Sequence, residues 1–205
     1  MRSDLSNDII RLTGEHLSLV GISMLIAIAV GVPLGILVAR RPRAGRWLLG
    51  LSSVAQTIPS LALFGFLIPI PLIGGVGRRT VIVALVLYGL LPILRNTFVG
   101  ILSVDPAVCD SAVAMGMTDG QLLRQVQLPL AARTIIAGIR VATVTTIGTA
   151  TIAAAIGGGG LGVFIFRGVA SVDTAQILAG AIPAAVIALL ADGGLGWLER
   201  KVSPT

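Results

Sequence analysis

This chain is poor in the residues on which most chemistry depends. Its 205 residues include one cysteine, one histidine and one lysine, and only 12% carry charge. Cys109 stands alone, so no disulfide can form within the chain. A packed small residue is the plainer reading of it than a reactive thiol. His16 has no second histidine, and the nine acids are scattered, so the spacing offers no metal site. The single lysine, Lys201, lies three residues before Pro204. A phosphate-binding loop needs a lysine directly after its glycines. The chain therefore cannot hydrolyse ATP by that route, and energy must come from a partner or a gradient. No nucleophile–base pair is evident, and no catalytic residue is assigned. Five Phe, two Trp and one Tyr form no evident aromatic cage.

What the chain has instead is apolar length. Hydrophobic residues make up 55%, and mean hydropathy is +0.99, as in an integral membrane protein. Residues 17–39 contain no charge, and at 1.5 Å per residue they suffice for about 30 Å of hydrocarbon. Further spans are expected at 47–70, 80–102, 134–156 and 174–195, in a single membrane domain covering 1–205. The first run is too long for a signal-peptide core, and Asp4, Asp8 and Glu15 precede it where basic residues would be needed.

The net charge of +6 raises the question of nucleic acid, but the placement of that charge points to membrane topology. With the N-terminus outside and five spans, ten basic residues fall inside, among them Arg40, Arg41, Arg43, Arg46, Arg124 and Arg133. Five fall outside: Arg2, Arg11, Arg78, Arg79 and Arg167. This is the positive-inside bias. It places the C-terminus and the polar 105–129 loop in the cytoplasm, with Arg78 and Arg79 against the trend.

That loop contains DSAVAMGMTDGQLLRQVQLP, residues 110–129. Local rules read it as two short helices and a bend. Asp105-Pro106 suits an N-cap followed by proline at the first helical position. Gly116 suits a left-handed helix end. Thr118 and Gln121 have the spacing of a capping box. Leu122, Leu123 and Val126 share one side of the second helix, and Pro129 is expected to stop it. Such an element can dock as a plug in a partner's groove, or alternatively lie on membrane lipid.

The fixed positions Asp110, Ala112, Gly116, Val126, Leu128 and Pro129 resemble the loop by which the permease subunit of a bacterial ABC importer grips its ATPase. Asp110 departs from the usual glutamate by one methylene. The phrases QTIPSLAL, YGLLPILRNTFVGI and GIRVAT are similar to permeases of osmoprotectant (glycine betaine, choline, carnitine) importers, over residues 16–198.

Three further features remain open on their chemistry. Gln56, Thr57, Pro59 and Ser60 put polar groups and a helix break at mid-membrane depth. They can line a solute path or stabilise a kinked helix, and the resemblance favours the path. Gly157, Gly158, Gly159 and Gly160 belong to a formal G-x-G-x-x-G, but it follows an apolar helix and lacks a correctly spaced acid. A flexible break is the better reading, and the resemblance implies an outer gate or re-entrant turn. Arg95 and Arg140 lie within spans, where snorkelling towards headgroups competes with an inward role.

The resemblance implies an all-α, five-span, binding-protein-dependent permease fold working by alternating access. Its expected partners are cytoplasmic ABC ATPases, a second permease subunit and a periplasmic or lipid-anchored binding protein, with no nucleic acid. Cofactors are expected only as ATP and magnesium on the ATPase. A methionine-type amino-acid permease is the alternative within this class. A gradient-driven carrier is the alternative outside it, normally marked by inverted repeats or intramembrane acids; here only Asp192, read as lying at the end of the last span, is a candidate.

Overall fold

The computed structural model describes residues 2–41, 43, 45, 47, 49, 50, 57–71 and 73–202, with side chains from residue 7 onward. Every regular element among the described residues is helical. In chain order these are α1 (Arg2–Ala39), α2 (Ser60–Leu67), α3 (Arg78–Leu102), α4 (Pro106–Ala114), α5 (Asp119–Gln121), α6 (Leu128–Ala150), α7 (Gly162–Ser171) and α8 (Thr174–Lys201). A π-helical turn, Leu122–Gln127, joins α5 to α6, and a 3₁₀ turn, Ile152–Ile156, follows α6.

Four of the described stretches are long and apolar enough to cross a bilayer: Asn7–Ala39, Arg78–Leu102, Asp119–Ala150 and Thr174–Lys201. The expected second span, 47–70, includes residues 51–56, which lie outside the described residues. Its described part after Pro59 is the eight-residue α2, too short to cross alone.

Helix ends differ from the uncharged runs for a physical reason: charges do not end helices. At the start of α1, Arg11 pairs with Asp8 at 3.2 Å and with Glu15 at 2.7 Å. These i,i+3 and i,i+4 pairs support helix well outside the apolar run. Likewise α8 continues past residue 195 to Lys201.

Helix α1 packs on α3, α3 on α6, α6 on α8, and α7 on α8. The main core joins Leu19, Val20 and Met24 of α1 with Phe64 of α2 and Val81 and Leu85 of α3. Ala27, Ala84, Ala142 and Ala150 are wholly buried in it. Small residues let helices approach closely where lipid supplies little hydrophobic drive. Helix α8 is the least covered span and presents Ile182, Val186, Leu189 and Leu190 outwards.

Candidate functional site

The loop between α3 and α6 is built almost entirely from local caps. Asp105 accepts a hydrogen bond from the Ala107 N–H at 2.9 Å, and Pro106 begins α4. The end of α4 is a Schellman motif. Gly116 N–H donates to Val113 O at 2.9 Å, Met117 N–H donates to Ala112 O at 3.2 Å, and Gly116 has φ of 85°. The capping box is complete: Thr118 N–H donates to Gln121 Oε1 at 2.8 Å, and Gln121 N–H donates to Thr118 Oγ1 at 3.4 Å.

Pro129 does not stop the second helix. The π-helical turn precedes it, and Leu128 N–H donates to Leu123 O, five residues back. That shift in register accommodates the proline, which has no N–H to give and whose ring would crowd an ordinary preceding turn. Asp119–Ala150 consequently runs as one helical stretch of 32 residues.

Part of the apolar side of that second element is covered by the chain itself, while Leu122 and Val126 stay half-buried. Leu123 and Leu128 pack against Phe98, Ile101, Ala131 and Ile135 of the molecule's own bundle. Ala112 is buried where α4 meets the π turn, and Val126 is half-buried. The most open apolar surface of the loop lies on α4 and its end. Val108, Val113 and Met115 are 43%, 55% and 75% exposed, with Asp110 exposed beside them.

Within the spans, sequence reasoning missed a charge cluster. Arg140 Nε and Nη2 donate to the two oxygens of Asp192, each at 2.6 Å. Arg140 Nη1 donates to Glu199 at 3.4 Å, and Arg133 lies 3.6 Å from the same carboxylate. Arg140 therefore pairs with α8 rather than snorkelling to headgroups. Asp192 lies within α8, which continues beyond the expected span end to Lys201. A Cβ on Gly196 would come 3.0 Å from Arg140 Nη1, so glycine is what lets the guanidinium lie across α8. The signal was present: Arg133 and Arg140 are seven apart, as are Asp192 and Glu199, in opposite order. Two antiparallel helices with i,i+7 positions on one face match that spacing.

At the helix break, Thr57 and Pro59 are exposed and Ser60 is half-buried, while Gln56 lies outside the described residues. Tyr88 on α3 donates its hydroxyl hydrogen bond to Ile58 O, a partner for a broken-helix carbonyl that sequence reasoning did not assign. The adjoining cavity of about 130 Å³ is lined by Ile58, Leu63, Leu87 and Tyr88, an apolar setting.

The four glycines form a tight turn, with φ of 73°, 79° and 79° at Gly157, Gly159 and Gly160. Gly160 N–H donates to Glu15 of α1 at 3.2 Å across 145 residues. His16 is buried beside Gly160. Helix α7 then runs ten residues and reverses into α8 through Asp173, which caps Ala175 N–H at 2.9 Å. The turn and α7 form a short helical hairpin with α8, not a nucleotide loop.

Residues 31–204 match the family of binding-protein-dependent transport system inner membrane components. The chain belongs to this family. It is an ABC-importer permease component and a multi-pass inner-membrane protein. It is 51% identical over 182 residues to the glycine betaine/carnitine/choline transport system permease OpuCD of Bacillus subtilis, covering 88% of this chain and 78% of the relative. It is 47% identical to the carnitine transport permease OpuCD of Listeria monocytogenes, covering 93% and 84%. The osmoprotectant import permease OsmW of Salmonella typhimurium is 41% identical, covering 94% and 91%. Among solved structures, the inward-facing MetNI methionine ABC transporter matches with a TM-score of 0.88 over 100% of each chain, at 21% identity. That likeness establishes the permease fold.

Proposed function

We propose that this family member is the membrane-spanning subunit of an ATP-driven importer for small quaternary-ammonium osmoprotectants such as glycine betaine, choline or carnitine. The observation that carries the reading is identity of 41–51% across 88–94% of the chain to permeases named for those solutes or for osmoprotectant import. Residues 105–129 form the loop that a cytoplasmic ABC ATPase grips, with Val108, Val113 and Met115 as the apolar contact and Asp110 as the charged one. ATP and magnesium act on that partner. The N-terminus is outside and the C-terminus cytoplasmic. A second permease subunit completes the path, and a periplasmic or lipid-anchored binding protein delivers the solute. The glycine turn at 157–160, pinned to Glu15, is the outer gate, and Thr57, Pro59 and Ser60 border the path.

The test is uptake by the assembled complex of labelled betaine, choline, carnitine and methionine. Saturable, ATP-dependent uptake of a quaternary-ammonium solute is expected. Uptake of methionine alone would overturn the solute assignment.

A further inference from the structure

A groove of about 480 Å³ opens between α6 and α8, with Val141, Val144 and Thr145 on one wall and Arg140, Asp192 and Glu199 at its charged end. Arg140 lies midway along α6, and Asp192 lies within α8. Even so, their side chains are 33% and 41% exposed. Charge carried on helices of membrane-crossing length is a poor neighbour for lipid and ordinarily faces protein or water. A cleft this roomy, with charge left open to it, suits a polar occupant.

We propose that this groove is a transit site for the solute, one that takes a small molecule carrying a quaternary ammonium group. The proposal rests on the osmoprotectant reading above and names a site for that solute. Arg140 commits three N–H groups to Asp192 and Glu199. A guanidinium has five, so two remain to donate to a solute carboxylate. A quaternary ammonium has no N–H and must be held by charge and by contact of its methyl groups. The Asp192 and Glu199 carboxylates supply the charge, and Val141 and Val144 supply the apolar contact.

Arg133, Arg140, Asp192 and Glu199 together carry no net charge. The groove therefore repels neither a cation such as choline nor a zwitterion such as glycine betaine. Glu199 is held only at 3.4 and 3.6 Å, which leaves it the freer of the two carboxylates to turn towards a passing cation. Thr145 donates its hydroxyl to Val141 O at 2.8 Å, so that wall presents no unsatisfied donor. A shallow site of this kind favours release as well as entry, as transport requires.

The two halves of the site are separable by solute. The complex, reconstituted in vesicles with its ATPase and binding protein, is assayed for uptake of labelled glycine betaine and choline per assembled transporter. Glu199→Gln, at the more weakly paired carboxylate, should raise the KM for choline at least fivefold more than that for glycine betaine. Arg140→Lys keeps the charge but loses donors, and should penalise glycine betaine over choline. Thr145→Phe, which fills the groove at an exposed position, should raise both KM values several-fold at unchanged yield of complex. Equal loss for both solutes in the first two variants, or normal kinetics for Thr145→Phe, would show a purely structural ion pair and overturn the proposal. A wild-type complex that carries neither solute sinks the osmoprotectant reading itself, and the groove assignment with it. A wild-type complex that carries both solutes, with variants that show no crossover between them, sinks the groove alone.

Discussion

Substitution of Gly116 isolates the proposed ATPase-gripping loop, residues 105–129, from the rest of the molecule. Its φ of 85° lies where side-chain-bearing residues are strained, and no atom lies within 4 Å of the place a Cβ would occupy. Steric clash with neighbours is thus absent, and the whole penalty is in the backbone. For an L-residue that penalty is roughly 1–2 kcal/mol, equivalent to a roughly 5- to 30-fold shift in population. What shifts is the Schellman end of α4, and with it the angle between α4 and the capping box at Thr118. Asparagine tolerates the left-handed region and should suffer least, alanine more, and valine most. The spans lie outside this turn, so membrane insertion and yield should be unchanged. Co-purification of the ATPase and uptake per permease should fall in the order Gly116→Asn, Gly116→Ala, Gly116→Val. Normal uptake with the ATPase attached in Gly116→Val would refute the loop's assignment, because the strain has no other outlet on this geometry.

Three further outcomes are expected. An introduced Gly120→Cys in a Cys109→Ala background should resist an impermeant thiol reagent applied to intact cells, and strong labelling would invert the topology. Thr57→Val keeps volume but removes a hydrogen-bonding group. It should lower uptake per complex if the helix break borders the path, whereas lower yield with normal uptake per complex would make Thr57 a structural residue. Val172 is a β-branched residue at φ of 54° and is 89% exposed. Val172→Asn should therefore stabilise the complex by up to about 1 kcal/mol, read as a higher unfolding temperature, and an unchanged or lower temperature would deny the strain.

Which features were readable in advance follows the distance over which they act. The caps at Asp105, Gly116 and Thr118 close over no more than five residues, so identity and spacing alone specify them. The long spans α3 and α8 show equally well in the hydropathy. Pro129 misled because a proline's local rule assumes an ordinary helical register before it, and the π turn changes that register. Leu123 misled for a different reason. An apolar side shows that something covers it, but not whether the cover is a partner or Phe98 and Ile135 of the same chain. Contacts such as Tyr88 with Ile58 and Glu15 with Gly160 span 30 and 145 residues, and no local pattern encodes them. The Arg140 cluster lies between these extremes. Its pairing needed the two seven-residue spacings to be compared across helices rather than judged one helix at a time.

The continuity of Asp119–Ala150 gives these separate features a mechanical relation. A helix interrupted at Pro129 would let the loop swivel without moving the span. The π turn instead carries the loop directly into α6, and Leu123 and Leu128 bind that junction to α3 through Phe98 and Ile101. Further along α6, Arg133 and Arg140 fasten it to α8 at two places about two turns apart. Displacement at the capping box is therefore transmitted to α6 and α8 together. A bidentate guanidinium–carboxylate pair resists sliding better than apolar contact alone, because its geometry is directional. Beyond Ala150 the chain changes character, passing through a 3₁₀ turn into glycines that hydrogen-bond back to Ala153 and Ala154 and across to Glu15 of α1. The regular α-helix ends there, although Ala153, Gly158, Gly160 and Leu161 remain buried. In the proposed gating, the end of the regular helix at Ala150 is the point at which motion carried along α6 passes to the glycine turn.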